Sequence, residues 1–176
     1  RPASLEGLPA ITQADLVRLA LRQRPDALTL GEARGAEVFD LLNALNTGHR
    51  NGLTSLHAHG VGEVFDRIYL MLAQSDRGRF LDAARAARLV AGTLHILVSL
   101  EMHAAVRRVR TIAELSGRVL QHGTSYEPEL IRLFHRETAS GPLEGPCTPS
   151  FHHARLGPAG IPAGIPAGIP AGGDLC

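Results

Sequence analysis

Glu32, Arg34 and His57 are the residues whose types and spacing can do chemistry. Ala27–Leu30, opened by Pro25-Asp26 and closed by Gly31, reads as a short buried strand. Glu32 then sits where the strand emerges, which is where open α/β sheets bind ligands. A carboxylate at that point can orient an attacking water and support a metal-bound one. Arg34 follows at i+2 and can pair with Glu32 or with a neighbouring subunit. His57 ends up near the same crevice if the next strand, Leu53–Ala58, runs parallel to the first. A rival chemistry comes from His57-Ala58-His59. Residues i and i+2 of a strand face the same way, so the two imidazoles could ligate a metal, with Glu63 or His49 as a third ligand. An H-x-H pair alone is a weak signal, and His152-His153 near the C-terminus reads as incidental.

These side chains need elements to carry them. Thr12 with Asp15 predicts an N-cap, followed by a helix to about Gln23 carried by Leu16, Val17, Leu19, Ala20 and Leu21. Gly35 to about Asn46 reads as a helix with a broad apolar face. Gly48 suits its stop, and His49–Gly52 reads as a turn. Asn51-Gly52 alone would indicate a hairpin, but its flanks read as helix and then strand. Helices are expected from Gly62 to about Gln74 and from Phe80 to about Ala91. Thr93–Leu100 and Val106–Leu115 read as strands joined by a hairpin through Glu101–Ala105, with the register open. Ser116–Tyr126 has weak strand character, and Pro128 to about Glu137 reads as a short amphipathic helix.

Composition removes several functions. Hydrophobic residues make up 44% of the chain and aromatics 4%, so the core is built from Leu, Ala and Val. The net charge of +1 offers no argument for nucleic acid. All 18 cationic residues counted as Lys or Arg are Arg. A P-loop, G-x-x-x-x-G-K-[ST], is therefore absent from these residues, because its Lys cannot be supplied. Cys147 and Cys176 have no zinc-type spacing, which fits a reducing compartment. No signal peptide is visible, and no apolar run approaches the roughly 18 residues of a membrane span. From residue 138 the chain turns Gly-, Pro- and Ala-rich, with Gly-Ile-Pro-Ala repeated at Gly160–Ala163, Gly164–Ala167 and Gly168–Ala171. A period of four excludes a collagen helix, so a disordered, partly polyproline-II tail is expected.

Several motifs occur together in order. They are Arg24-Pro25-Asp26, Gly31-Glu32-x-Arg34-Gly35, Asn46-Thr47-Gly48-His49 and Leu56-His57-Ala58. This series, within a similarity from about Arg1 to Leu115, resembles the C-terminal half of a type II/IV secretion ATPase. The Tad/Flp pilus or conjugal-transfer type is the nearest flavour. The resemblance implies a partial RecA-like P-loop NTPase domain, an α/β three-layer sandwich, over residues 1–137, with the tail at 138–176. It makes Glu32 the Walker B carboxylate and His57 the His-box imidazole that senses the γ-phosphate. It makes Arg22, Arg24, Arg34, Thr47, Gly48 and His49 nucleotide-proximal or subunit contacts. His59 stands where the family commonly has Asn. The implied cofactors are ATP and Mg²⁺, and the implied assembly is a homo-hexamer. That ring would work at the cytoplasmic face of the inner membrane, on secretion or pilus platform proteins, without a span of its own. Because the P-loop and the acidic box that follows it lie upstream in the family, the expectation is a fragment not competent for hydrolysis alone. A non-catalytic ring- or partner-docking module is the alternative, and an H-x-H metal-dependent hydrolase a weaker one. A sheet cut at one side is also expected to expose an edge and an apolar face.

Overall fold

The structure, a computed structural model, describes residues 9–49 and 51–145. The expectations for the stretch before Pro9, the repeats, His152-His153 and both cysteines lie outside the described residues. Contacts divide the chain into two compact units. The first runs to Leu94 and includes Gly117–Pro128, and the second comprises His95–Ser116 and the residues from Glu129 onward.

The first unit follows its sequence pattern closely. Helix α1 (Gln13–Arg22) begins at the expected capping box. Thr12 Oγ1 accepts from the Asp15 N–H at 3.2 Å, and the Asp15 carboxylate accepts from the Thr12 N–H at 2.9 Å. Strand β1 (Leu28–Leu30), helix α2 (Glu37–Asn46) and strand β2 (Gly52–Thr54) form a parallel crossover, with Leu28 opposite Gly52 and Leu30 opposite Thr54. A Cβ on Gly52 would meet the end of the Leu45 side chain, which would have to shift to admit it. Val17, Leu28, Leu41 and Ala44 make the core shared by α1, β1 and α2. Arg18 of α1 clasps the buried Asp40 of α2 through two hydrogen bonds of 3.3 and 3.2 Å. Helix α3 (Val64–Gln74) and helix α4 (Ala83–Thr93) pack with α2. A short 3₁₀ turn at Gly78–Phe80 separates them, so α4 starts later than expected. The Asp82 side chain caps it there, accepting from the Arg85 N–H at 2.7 Å.

Three antiparallel strands follow, β3 (Ile96–His103), β4 (Val106–His122) and β5 (Ser125–His135), in the order β3-β4-β5. One expectation is corrected here. Residues 128–135 form strand, not an amphipathic helix, because the 17-residue β4 is there to hydrogen-bond beside them. Cross-strand pairs reinforce it, with Ser116 donating to Glu129 and Thr111 Oγ1 lying 2.8 Å from His135 Nδ1. At the start of the expected tail, Glu144 folds back to pair with His135 in an isolated antiparallel bridge. Ile96, Val98, Leu100 and Met102 are all exposed along one face of the edge strand β3.

The register left open at the hairpin is now fixed. His103 lies opposite Val106, so the connection shrinks to Ala104-Ala105. Both alanines have positive φ, 47° and 64°. Those are the requirements of a type I′ turn, normally met by Asn-Gly. An L-residue in the left-handed region costs about 1–2 kcal/mol. Ala105→Gly is therefore expected to stabilise the sheet by about 1 kcal/mol. The check is the midpoint of chemical denaturation, which should rise with unchanged slope.

Candidate functional site

Glu32 and His57 leave the ends of neighbouring parallel strands. The strand pairing continues past β1 and β2, since the Ala33 N–H donates to Ser55 O at 2.8 Å and the Ser55 hydroxyl donates to Gly31 O at 2.7 Å. These bonds clamp both exit segments side by side. One expectation shifts here. His57 does not lie on a strand, because β2 ends at Thr54 and the next three residues form a bare connection. The imidazole still reaches the carboxylate, with Nε2 3.1 Å from Glu32 Oε1.

Arg34 completes the constellation. Its Nη2 donates to Glu32 Oε2 at 2.6 Å. This bond, more than any other influence, holds the Glu32 carboxyl below the usual carboxylate range. Partial burial opposes it, while the charges of Arg34 and His57 add to it. The same pair pushes the Arg34 guanidinium up. The turn between Glu32 and α2 is fixed by Glu37, a carboxylate only 7% exposed. Its Oε1 accepts from the Arg34 N–H at 2.6 Å and from the Gly35 N–H at 2.9 Å. An acid in the first turn of a helix is where the backbone donors and dipole favour it.

Glu32, Arg34 and His57 line an open cleft of about 430 Å³ with Leu56, Arg67, Leu70 and Met71. Arg67 of α3 donates through Nε to the His57 carbonyl at 3.2 Å. Among its lining side chains, two arginines face one carboxylate, so the cleft suits an anion. The other sequence candidates lie elsewhere. Arg22 ends α1 and Arg24 lies just beyond it at φ 51°, both exposed and neither lining the cleft. Thr47 and Gly48 close α2, with the Thr47 hydroxyl donating to Asn43 O at 2.9 Å and Gly48 at φ 122°. His49 donates its N–H to Ala44 O at 3.3 Å, and its buried Nδ1 has no hydrogen-bond partner among the described residues.

The H-x-H arrangement does not form. His57 pairs with Glu32, whereas Glu63 accepts from the His59 backbone N–H at 3.2 Å. Among the described residues no group of three or more His, Cys, Asp or Glu side chains could hold a metal ion. No described helix is long and apolar enough to cross a membrane. Sequence reasoning missed Glu37 and Arg67. An acid in the first turn of α2 was a findable signal for Glu37. Arg67 lies on an ordinary amphipathic helix and carried none.

A parallel β–α–β crossover that brings a carboxylate and an imidazole together at its strand exits marks the chain as an α/β protein. The family model described as type II/IV secretion system protein matches residues 3–136. The chain belongs to that family. It is 39% identical over 119 residues to a conjugal transfer protein of Mycobacterium tuberculosis H37Rv, covering 68% of this chain and 34% of that protein. It is 36% identical over 93 residues to the type IV secretion system protein VirB11 of Brucella suis, covering 53% and 25%. The crystal structure of the Brucella suis VirB11 ATPase in complex with sulphate superposes with a TM-score of 0.56 at 30% identity, over 58% of this chain and 31% of that one. The expected α/β fold class therefore holds, and the chain spans about a third of the length of the conjugal transfer relative.

Proposed function

We propose that this chain is the C-terminal portion, residues 1–137, of a RecA-like ATPase that powers conjugal transfer, protein secretion or pilus assembly. The observation that carries it is the Glu32–His57 pair, joined across the exits of two parallel strands in a cleft with surplus positive charge. The relative described as a conjugal transfer protein favours the conjugation type. On this reading the whole protein works as a hexameric ring on inner-membrane platform proteins at the cytoplasmic face, as membership of the secretion family suggests.

The residues present fit a phosphate-bearing ligand at one end only. Arg34 and Arg67 offer cationic donors, and Glu32 offers an ionised acceptor. When bound, ATP supplies the transferable phosphoryl group and Mg²⁺ neutralises its charge. Glu32 accepts a hydrogen bond from the attacking water through a lone pair that Arg34 and His57 leave free. His57 then stays beside the carboxylate, placed to register the terminal phosphate. Arg22, Arg24, Thr47, Gly48 and His49, away from the cleft, act as subunit contacts in the ring. With no Lys among its residues, the chain offers no P-loop for the β- and γ-phosphates, so alone it does not turn over ATP.

A second reading, a non-catalytic module that docks into such a ring, is favoured by the exposed apolar face of β3. ATP turnover in the product of the full open reading frame containing these residues separates the two. Turnover lost in Glu32→Gln supports the motor, and no turnover by the parent protein supports the module.

A further inference from the structure

Arg67 reaches from α3 into the cleft and ties down the residue whose position the sheet leaves free. His57 lies beyond Ser55, the last residue that the strand-to-strand bonds hold, and its side chain is 83% exposed, so those bonds do not themselves fix it. The Arg67 Nε–H bond to its carbonyl at 3.2 Å does. The imidazole of the same residue meets Glu32 at 3.1 Å. A guanidinium carries five N–H donors in a rigid fork, so a single bond to His57 leaves the others to face the cleft that Arg67 lines.

We propose that Arg67 is a positioning residue that holds the His57 main chain so that its imidazole stays against Glu32. Its remaining donors form, with Arg34, the cationic rim of the cleft. The identity of the anion at that rim rests on the ATPase reading, whereas the tether does not. Arg67 ties α3 to the acid–base pair, so a shift of this helix moves His57 relative to the carboxylate.

The test uses the isotopically labelled 176-residue chain and two readouts. The first, without ligand and at fixed pH, is the change in the His57 imidazole resonances caused by Glu32→Gln. That change measures contact between ring and carboxylate. It is expected to be at least roughly halved in an Arg67→Gln background, because the bond that fixes the carbonyl is charge-assisted. Arg67→Lys, which still donates to a carbonyl, should restore most of it. Arg67 is exposed, so these variants are expected to fold as the parent does. An unchanged response in Arg67→Gln overturns the proposal. The second readout is titration with inorganic phosphate, followed at the Arg34 and His57 side chains. Arg67→Gln is expected to weaken the response by roughly tenfold, the loss of one hydrogen bond to a charged group. If phosphate moves no cleft resonance in the parent chain while Arg67→Gln still uncouples His57 from Glu32, the phosphate reading fails and the tether stands.

Discussion

Glu32→Gln is expected to lower ATP turnover by about 10²–10⁴-fold in the product of the full reading frame, the range for removing a positioned acid–base group. ATP binding should stay nearly unchanged. Glutamine keeps the size of the side chain and one carbonyl acceptor, so Arg34 and His57 still have a neighbour to bond. What disappears is the ionised oxygen that orients water. The pH dependence follows from the same geometry. Arg34 holds the Glu32 carboxyl below the usual carboxylate range. A depressed value in the folded state means that the ion pair favours folding at every pH above the unfolded value. That contribution is lost as pH falls through the folded value. Glu32 is thus fully ionised at neutral pH, and the acid limb of the rate profile attributable to it lies below the range of an ordinary glutamate. Arg34→Gln should move that limb upward, which steady-state rates measured across acid pH will register.

Glu37→Ala is expected to destabilise the chain by about 3 kcal/mol, since hydrogen bonds to a charged group contribute about 1.5–3 kcal/mol each and two are lost. Its Oε1 accepts both the Arg34 and the Gly35 backbone N–H, and the residue is buried at the start of α2. Alanine leaves these donors without their acceptor and loosens the turn that carries Arg34. Glu37→Gln, which keeps the acceptor, should cost about 1 kcal/mol, one neutral hydrogen bond's worth. Urea denaturation of the three proteins gives both numbers. The Arg34 side-chain resonance should broaden or shift in the alanine variant and stay in place in the glutamine one.

Local signals made the first unit readable. A capping box at Thr12 and Asp15, a three-residue strand closed by Gly31 and a periodic apolar face on α2 each encode one structure. The sequence therefore placed Glu32 and Arg34 together correctly and put His57 within reach. It could not show that His57 stands beyond the end of β2, because Leu53–Ala58 alternates well enough to pass for continuous strand. The second sheet was less legible. Leu130, Ile131, Leu133 and Phe134 satisfy a helical period as easily as a strand one. The choice is made by a partner, β4, distant in sequence. The two-residue loop at Ala104-Ala105 lacks the Asn-Gly signal that would have marked it. Arg67 was invisible for a different reason. Its role depends on a bond to a main-chain carbonyl, and side-chain pattern says nothing about carbonyls.

Phosphate release from Mg²⁺-ATP by the 176-residue chain on its own, beside its Glu32→Gln variant, tests the central claim most directly. The chain is held to contribute the water-orienting and phosphate-sensing side of an ATP site, without the Lys-bearing cradle for the β- and γ-phosphates. The predicted result is no release above the uncatalysed rate from either protein at saturating nucleotide. Steady release by the parent chain that disappears in Glu32→Gln would contradict the account, because a complete site would then lie within these residues.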